Sequence, residues 1–423
     1  MMKRALALLL LLAAPATAQS AYGCAGLDGR GGFGAVEGEG AFFRLDPDLL
    51  LGHALPEGSA DGLARLSEAL AGQGTTLIVV PLPTKAMAMP GALPALARDL
   101  GYDPGLAATV YGEWLDRLAE RGVAAVDART ALLSGEGEAP SFLATDPRLS
   151  AEGARRLAQA VAAAVAEAPG TAALQRGRFE TAVAQEIDLD SSWRARLQRR
   201  CAVTLPRATV EATVTTRLDA APPGDPLGGA TAPVLIAAAE EAGDPRLNLA
   251  GLVSQATDLP AAAYAVEGGG AFGAISAVMT SRPFAAARPA VLVWVLPVWE
   301  GLAERGPRPL AELVAAAGAA CRLPVPLALS GGPEATADLA GLDPARRWTL
   351  LVDADAPARA ARFDLQSATG LTRRRTVARG PAQVATGRFL LPLDGLWAAG
   401  AARAAIALDV PWGPSARVTA CEG

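Results

Sequence analysis

One imidazole, His53, is the only side chain in 423 residues whose ordinary pKa lies near neutral pH. It follows Leu50-Leu51-Gly52, where a packed or surface role suits it better than catalysis. A centre built on two histidine ligands is excluded, and no metal or cofactor is expected. Asp146-Pro147-Arg148 sets a carboxylate two places from a guanidinium. That pair makes an ion pair; an arginine stays protonated and cannot act as a general base. Ser254 and Ser276 fall in helical stretches, where a hydroxyl packs or bonds to the backbone. Gly268-Gly269-Gly270-Ala271-Phe272-Gly273 has the dinucleotide-loop spacing, but no acidic residue for a ribose follows at the right distance. The stretch reads as a tight turn whose N–H groups face a pocket.

The four cysteines are Cys24, Cys201, Cys321 and Cys421. None has the C-x-x-C spacing of a zinc or redox site, and an even count in an exported chain points to disulfides. Four cysteines allow three connectivities. The pairing Cys24–Cys201 with Cys321–Cys421 would close two consecutive units. Near the C-terminus, Trp348, Trp397 and Trp412 could stack on a ligand's flat face, and Arg373-Arg374-Arg375 could meet carboxylates. Trp348 alternates with Leu350 and Val352, as a core residue would, whereas Trp412 lies between Pro411 and Gly413-Pro414 and should be exposed.

Strands alternating with helices must position these groups. Thr75 to Val80 is a β-branched run stopped by Pro81, as in a strand covered on both faces. A helix capped by Asp61 precedes it, carrying Leu63, Leu66 and Leu70. Ala107 to Arg121 and Ala151 to Ala166 read as helices, and Val123 to Val126 as a strand. Val234 to Ile236, Ala262 to Val266 and Val291 to Leu296 read as three more buried strands, with helices at Leu249–Ala256 and Phe272–Met279 between them. The pattern is an α/β fold: a parallel sheet with helices on both faces. Its chemistry belongs at the carboxyl ends of the strands, after Val80, Val126, Ile236, Val266 and Leu296. Near Leu310 the pattern changes to short runs broken by Gly, Pro and Asp, an all-β sandwich or jelly roll. Residues 321–423 hold 12 Arg against 9 Asp and Glu, a net of +3 on an otherwise acidic chain.

Residues 1–18 read as a secretory signal: Met1-Met2-Lys3-Arg4, an apolar run from Ala5 to Ala14, and Ala16-Thr17-Ala18 for cleavage. Ten apolar residues are too few to span a bilayer, so no membrane span is expected after cleavage. The division expected is a signal at 1–18, an α/β domain at 19–310 and a β module at 311–423. With 51% hydrophobic residues and a net charge of −5, the chain is globular and not disordered.

The order of several segments resembles the AlgX/AlgJ family of periplasmic alginate O-acetylation proteins. Val36-Glu37-Gly38-Glu39-Gly40-Ala41-Phe42-Phe43-Arg44 with Asp48-Leu49 is similar to its entry motif. Val79-Val80-Pro81-Leu82-Pro83-Thr84-Lys85-Ala86 is similar to its P-x-P-T-K turn. Val126-Asp127, Phe142 to Asp146 and Ala151 to Ala154 resemble the segment that carries its Asp-x-His pair. Val234 to Ile236, Ala265 to Gly270 and Val291 to Pro297 follow in the family's order. The resemblance implies an SGNH-hydrolase-like domain with a carbohydrate-binding module. It implies a Ser, His and Asp triad that moves an acetyl group onto a polysaccharide hydroxyl. Asp146 stands at the aspartate, but Arg148 stands at the histidine and Ala239 at the serine.

The sequence therefore points to a periplasmic, non-catalytic subunit that binds an acidic, alginate-like exopolysaccharide. It would serve the proteins that secrete and acetylate the polymer, with no nucleic-acid partner. The competing expectation is an active O-acetyltransferase or esterase with a relocated catalytic site.

Overall fold

The computed structural model describes residues 20–28, 33–134, 137–189, 191–219, 232–304, 306–318 and 320–422. The signal-like stretch at 1–18 lies outside the described residues. In chain order, β1 (Ala35–Glu37) and β2 (Phe42–Arg44) form a small hairpin. Then come β3 (Thr76–Leu82), β4 (Ala124–Ala125), a long hairpin of β5 (Phe179–Asp188) and β6 (Thr209–Arg217), β7 (Val234–Ala238), β8 (Ala261–Ala265) and β9 (Val291–Pro297). The central sheet runs β4-β3-β9-β7-β8, and every neighbouring pair in it is parallel.

All seven residues of β9, Val-Leu-Val-Trp-Val-Leu-Pro, are buried, as a strand flanked by strands and covered by helices requires. Proline is rare inside a sheet because it lacks the ladder N–H. Pro81 escapes that cost: β4 pairs only with Ile78 and Val79, and the Pro81 carbonyl beyond them accepts the Tyr111 hydroxyl at 2.7 Å. The strand at Ala261–Ala265 departs from the sequence expectation of burial. It is the sheet's edge, with Ala263 and Tyr264 exposed, because a run of alanines carries little information about which face is covered. Asp61 is likewise not a helix cap. The helix begins at Glu57 after Pro56, and Asp61 accepts the Arg121 Nε at 2.8 Å.

After a helix at Arg308–Gly318, the chain becomes all-β. It forms β10 (Ala320–Val325), β11 (Leu327–Leu329), β12 (Glu334–Asp338), β13 (Trp348–Asp353), β14 (Ala360–Gln366), β15 (Thr372–Ala378), β16 (Arg388–Pro392), β17 (Arg403–Leu408) and β18 (Arg417–Glu422). Two antiparallel sheets, β10-β18-β13-β16 and β11-β12-β17-β14-β15, enclose their own core around Leu350, Phe363, Phe389 and Ile406. The fold is thus the α/β sheet and all-β module that the sequence implies. Disulfides join Cys24 to Cys201 and Cys321 to Cys421.

The two parts are locked by buried charge. Glu312, on the last helix, takes Arg379 with both oxygens at 2.6 and 2.8 Å, and accepts the Leu390 amide at 3.3 Å. Arg388 reaches across to the Thr280 carbonyl at 2.8 Å. Removing one partner of a buried, bidentate pair strands the other charge. Glu312→Ala is expected to cost about 3–5 kcal/mol, read as a lower urea midpoint. The double variant Glu312→Leu/Arg379→Met should recover most of that loss; an unchanged midpoint in Glu312→Ala would contradict this account.

Candidate functional site

A loop and a strand end come together at the carboxyl edge of the sheet. The loop is pinched by a bridge between Phe142 and Leu149, and the Leu143 amide donates to the Arg148 carbonyl at 3.0 Å. It runs into the helix Ala151–Glu167, whose first turn is capped by the Ser150 hydroxyl on the Gly153 amide. Only a glycine fits at 153, because a Cβ there would lie 2.0 Å from the Ser141 carbonyl oxygen. Opposite the loop, β7 ends at Ala238 and the short helix Glu240–Gly243 begins. Ala239 between them is buried, and its amide donates to the Val295 carbonyl at 3.1 Å. The Leu149 amide donates to the Glu241 carbonyl at 3.1 Å and ties the two segments together.

Asp146 is fully buried, and both of its carboxylate oxygens are taken by Arg148: Nε at 2.8 Å and the Arg148 amide at 3.1 Å on one, Nη2 at 3.2 Å on the other. Arg148 Nη1 reaches Asp244 at 2.9 Å, and Asp244 also holds Arg246. The flanking carboxylates outweigh the burial cost and keep the Arg148 guanidinium charged, while Asp244 is held below the usual carboxylate range by Arg246 and Arg148. An open cavity of about 890 Å³ faces this lattice, lined also by Glu240, Trp193, Tyr264 and Glu267. Its hydroxyls include Ser191, whose Oγ caps the following helix at the Arg194 amide. His53 does not line it. That ring is buried elsewhere, against the Pro47 carbonyl at 3.0 Å.

Three charged groups beneath the lattice escape a sequence reading. Lys85 is fully buried, and its Nζ donates to the carbonyls of Leu143, Ala144 and Asp146 at 2.5, 2.9 and 3.4 Å. Burial pulls its pKa down to about 7, although Asp48 and Asp146 oppose the shift. Arg44 grips Asp48 with Nη2 at 3.0 Å, approaches Glu241 at 3.7 Å, and lies over the Trp299 ring. Burial pushes the Glu241 carboxyl up to about 7 against the pull of Arg44. A lone lysine directly after an apolar strand and two prolines is the one signal that marks Lys85 in the sequence. The glycine turn belongs to the same corner: the Gly268 amide donates to Glu240 at 2.6 Å, and a side chain at Gly270, with φ +62°, would crowd Glu300.

The residues of the β module lie apart from this corner. Trp348 and Trp397 are half-buried; the Trp348 indole N–H donates to the Asp343 carbonyl at 2.8 Å, and Arg373 stacks on Trp397 at 5.2 Å. Trp412 is not the exposed ring its flanking prolines suggest. It packs half-buried against the sandwich core and donates to the Pro333 carbonyl at 2.9 Å. Arg373, Arg374 and Arg375 lie on β15, so alternation sends Arg374 to the opposite face, where it pairs with Asp364 at 2.5 Å.

The two shifted buried groups give opposite pH slopes. Between pH 4.5 and about 7 the folded chain keeps a proton on Glu241 that the unfolded chain releases, so stability falls as pH rises. Above about 7 the unfolded chain keeps the Lys85 proton that the folded chain releases, so stability rises. Chemical denaturation of Glu241→Gln should therefore lose the fall between pH 5 and 7 while keeping the rise above it. Equal slopes in both proteins below pH 7 would count against a buried, protonated Glu241.

Residues 42–298 match the family described as SGNH hydrolase-like domain, acetyltransferase AlgX. Among curated proteins, the chain is 26% identical over 239 residues to the alginate biosynthesis protein AlgX of Pseudomonas aeruginosa. That stretch is 56% of this chain and spans 50% of the relative's length. Among solved structures, P. aeruginosa AlgX superposes with a TM-score of 0.75 at 21% identity, over 92% of this chain and 94% of that one. The O-acetyltransferase domain of Pseudomonas putida AlgJ gives a TM-score of 0.52 at 20% identity, over 66% of this chain and 98% of that one. With the family match covering more than half of its length, the chain belongs to the AlgX/AlgJ family of SGNH hydrolase-like proteins.

Proposed function

We propose that this chain is a periplasmic, non-catalytic member of its family that binds an acidic, alginate-like exopolysaccharide for the proteins that secrete and acetylate it. The observation that carries the reading is the Arg148 fork on Asp146 and Asp244 beside Ala239. Acyl transfer on a Ser, His and Asp triad needs a hydroxyl to attack, an imidazole to take its proton, and a carboxylate to orient the imidazole. At the three matching positions this chain offers a methyl group, a charged guanidinium and a carboxylate whose oxygens are occupied. An alanine cannot form an acyl intermediate, and a guanidinium held among carboxylates cannot accept a proton.

Two disulfides support an oxidising compartment, in keeping with the signal-like residues 1–18. In this reading, residues 19–310 form the acetyltransferase-like domain and residues 311–423 a carbohydrate-binding module. Of the side chains suited to sugar, Trp348 and Trp397 border surface depressions, whereas Arg374 is paired with Asp364 and Arg373 lies over the Trp397 ring.

An acetyl-ester hydrolysis and transfer assay on the purified chain separates this reading from an active O-acetyltransferase or esterase. The expected result is no turnover above the uncatalysed rate, together with retardation in a gel containing alginate. Turnover that Asp146→Ala abolishes would overturn the non-catalytic reading.

A further inference from the structure

Away from the strand ends, the surface where the helix Glu57–Ala71 meets the sandwich carries two adjoining depressions of about 590 and 330 Å³. Both are lined by Arg347, Trp348 and Asp394. The larger adds Arg65 from that helix and Gln73 from the turn after it, and the smaller adds Trp397 from the sandwich. We propose that this junction cleft binds an anionic sugar chain, with Trp348 and Trp397 as stacking platforms and Arg65 and Arg347 as carboxylate forks. The proposal rests on the polysaccharide-binding reading and locates its contact surface.

The arginines of this cleft fall into two groups. Arg346 is engaged by Glu422 at 2.8 Å. Arg65 and Arg347 are exposed and have no side-chain hydrogen bond or ion pair among the described residues. A guanidinium presents a planar fork that matches a carboxylate, and two forks left without protein partners on one cleft suit a chain of repeated carboxylates. The Trp348 N–H donates to the Asp343 carbonyl at 2.8 Å, which favours the orientation in which the ring lines both depressions. An indole wall offers the apolar face that the C–H side of a sugar ring requires. Glu68 and Asp394 share the cleft and can accept hydrogen bonds from sugar hydroxyls. Arg65 comes from the α/β part and Arg347 from the sandwich. The cleft therefore depends on the relative placement of the two parts, to which the Glu312–Arg379 pair and the Arg388–Thr280 contact contribute.

Affinity electrophoresis of the full chain in gels containing alginate, its carboxyl-esterified form, or dextran tests the assignment. The wild type should be retarded by alginate at least tenfold more strongly than by the esterified polymer or dextran. Arg65→Glu/Arg347→Glu should weaken retardation by alginate at least tenfold with an unchanged melting temperature, since both side chains are exposed. Arg374→Glu, on a paired residue outside the cleft, should leave it within twofold. Full retardation of the double variant would overturn the cleft and leave polysaccharide binding standing. No retardation of the wild type would overturn both.

Discussion

The corner of the sheet that would carry acyl transfer is organised around one half-buried guanidinium. Arg148 satisfies Asp146 completely and reaches across to Asp244, joining the 142–149 loop to the segment that follows β7. A carboxylate with no exposure is tolerated only when a counter-charge and hydrogen bonds compensate its lost hydration. Lys85 completes the arrangement from below by holding three carbonyls of the same loop. The loop is thus held on both sides by nitrogen donors. A neutral imidazole at 148 would leave Asp244 with one fewer cationic partner. Arg148 is therefore a structural tie of this corner.

The chain reads in some places and not in others, for physical reasons. Thr76–Leu82, Val291–Pro297 and Ala151–Glu167 are legible because a continuous apolar run or a helical stripe follows directly from burial. The hairpin of β5 and β6 is illegible because β5 is largely exposed and β6 mostly half-buried, so no clean apolar alternation marks them. Ala261–Ala265 shows its strand but hides its edge position, since alanine suits a covered or an open face equally. The pairing of Asp146 with Arg148 is visible two residues apart. Asp244, which lies 96 residues from Arg148, and Arg44, Glu241 and the carbonyl partners of Lys85 come from distant segments and appear only once the sheet is assembled. Trp412 misleads because flanking prolines describe the backbone and not the surface that the ring covers.

Rigidity links the two halves. Glu312 with Arg379, and Arg388 with the Thr280 carbonyl, fix the sandwich against the helices next to the sheet. A buried bidentate pair contributes little net stability relative to apolar packing but is costly to break. Its effect is to specify one relative placement, and that placement creates surfaces belonging to neither half alone.

The loss of the nucleophile is the central claim, and active-site labelling tests it most directly. Fluorophosphonates phosphorylate a serine whose proton is taken by a neighbouring base, and intact-mass spectrometry reads the adduct. The expected result is an unmodified mass for the folded chain after exposure. One stoichiometric adduct on a single serine, absent from the heat-denatured chain and from Asp146→Ala, would contradict the account.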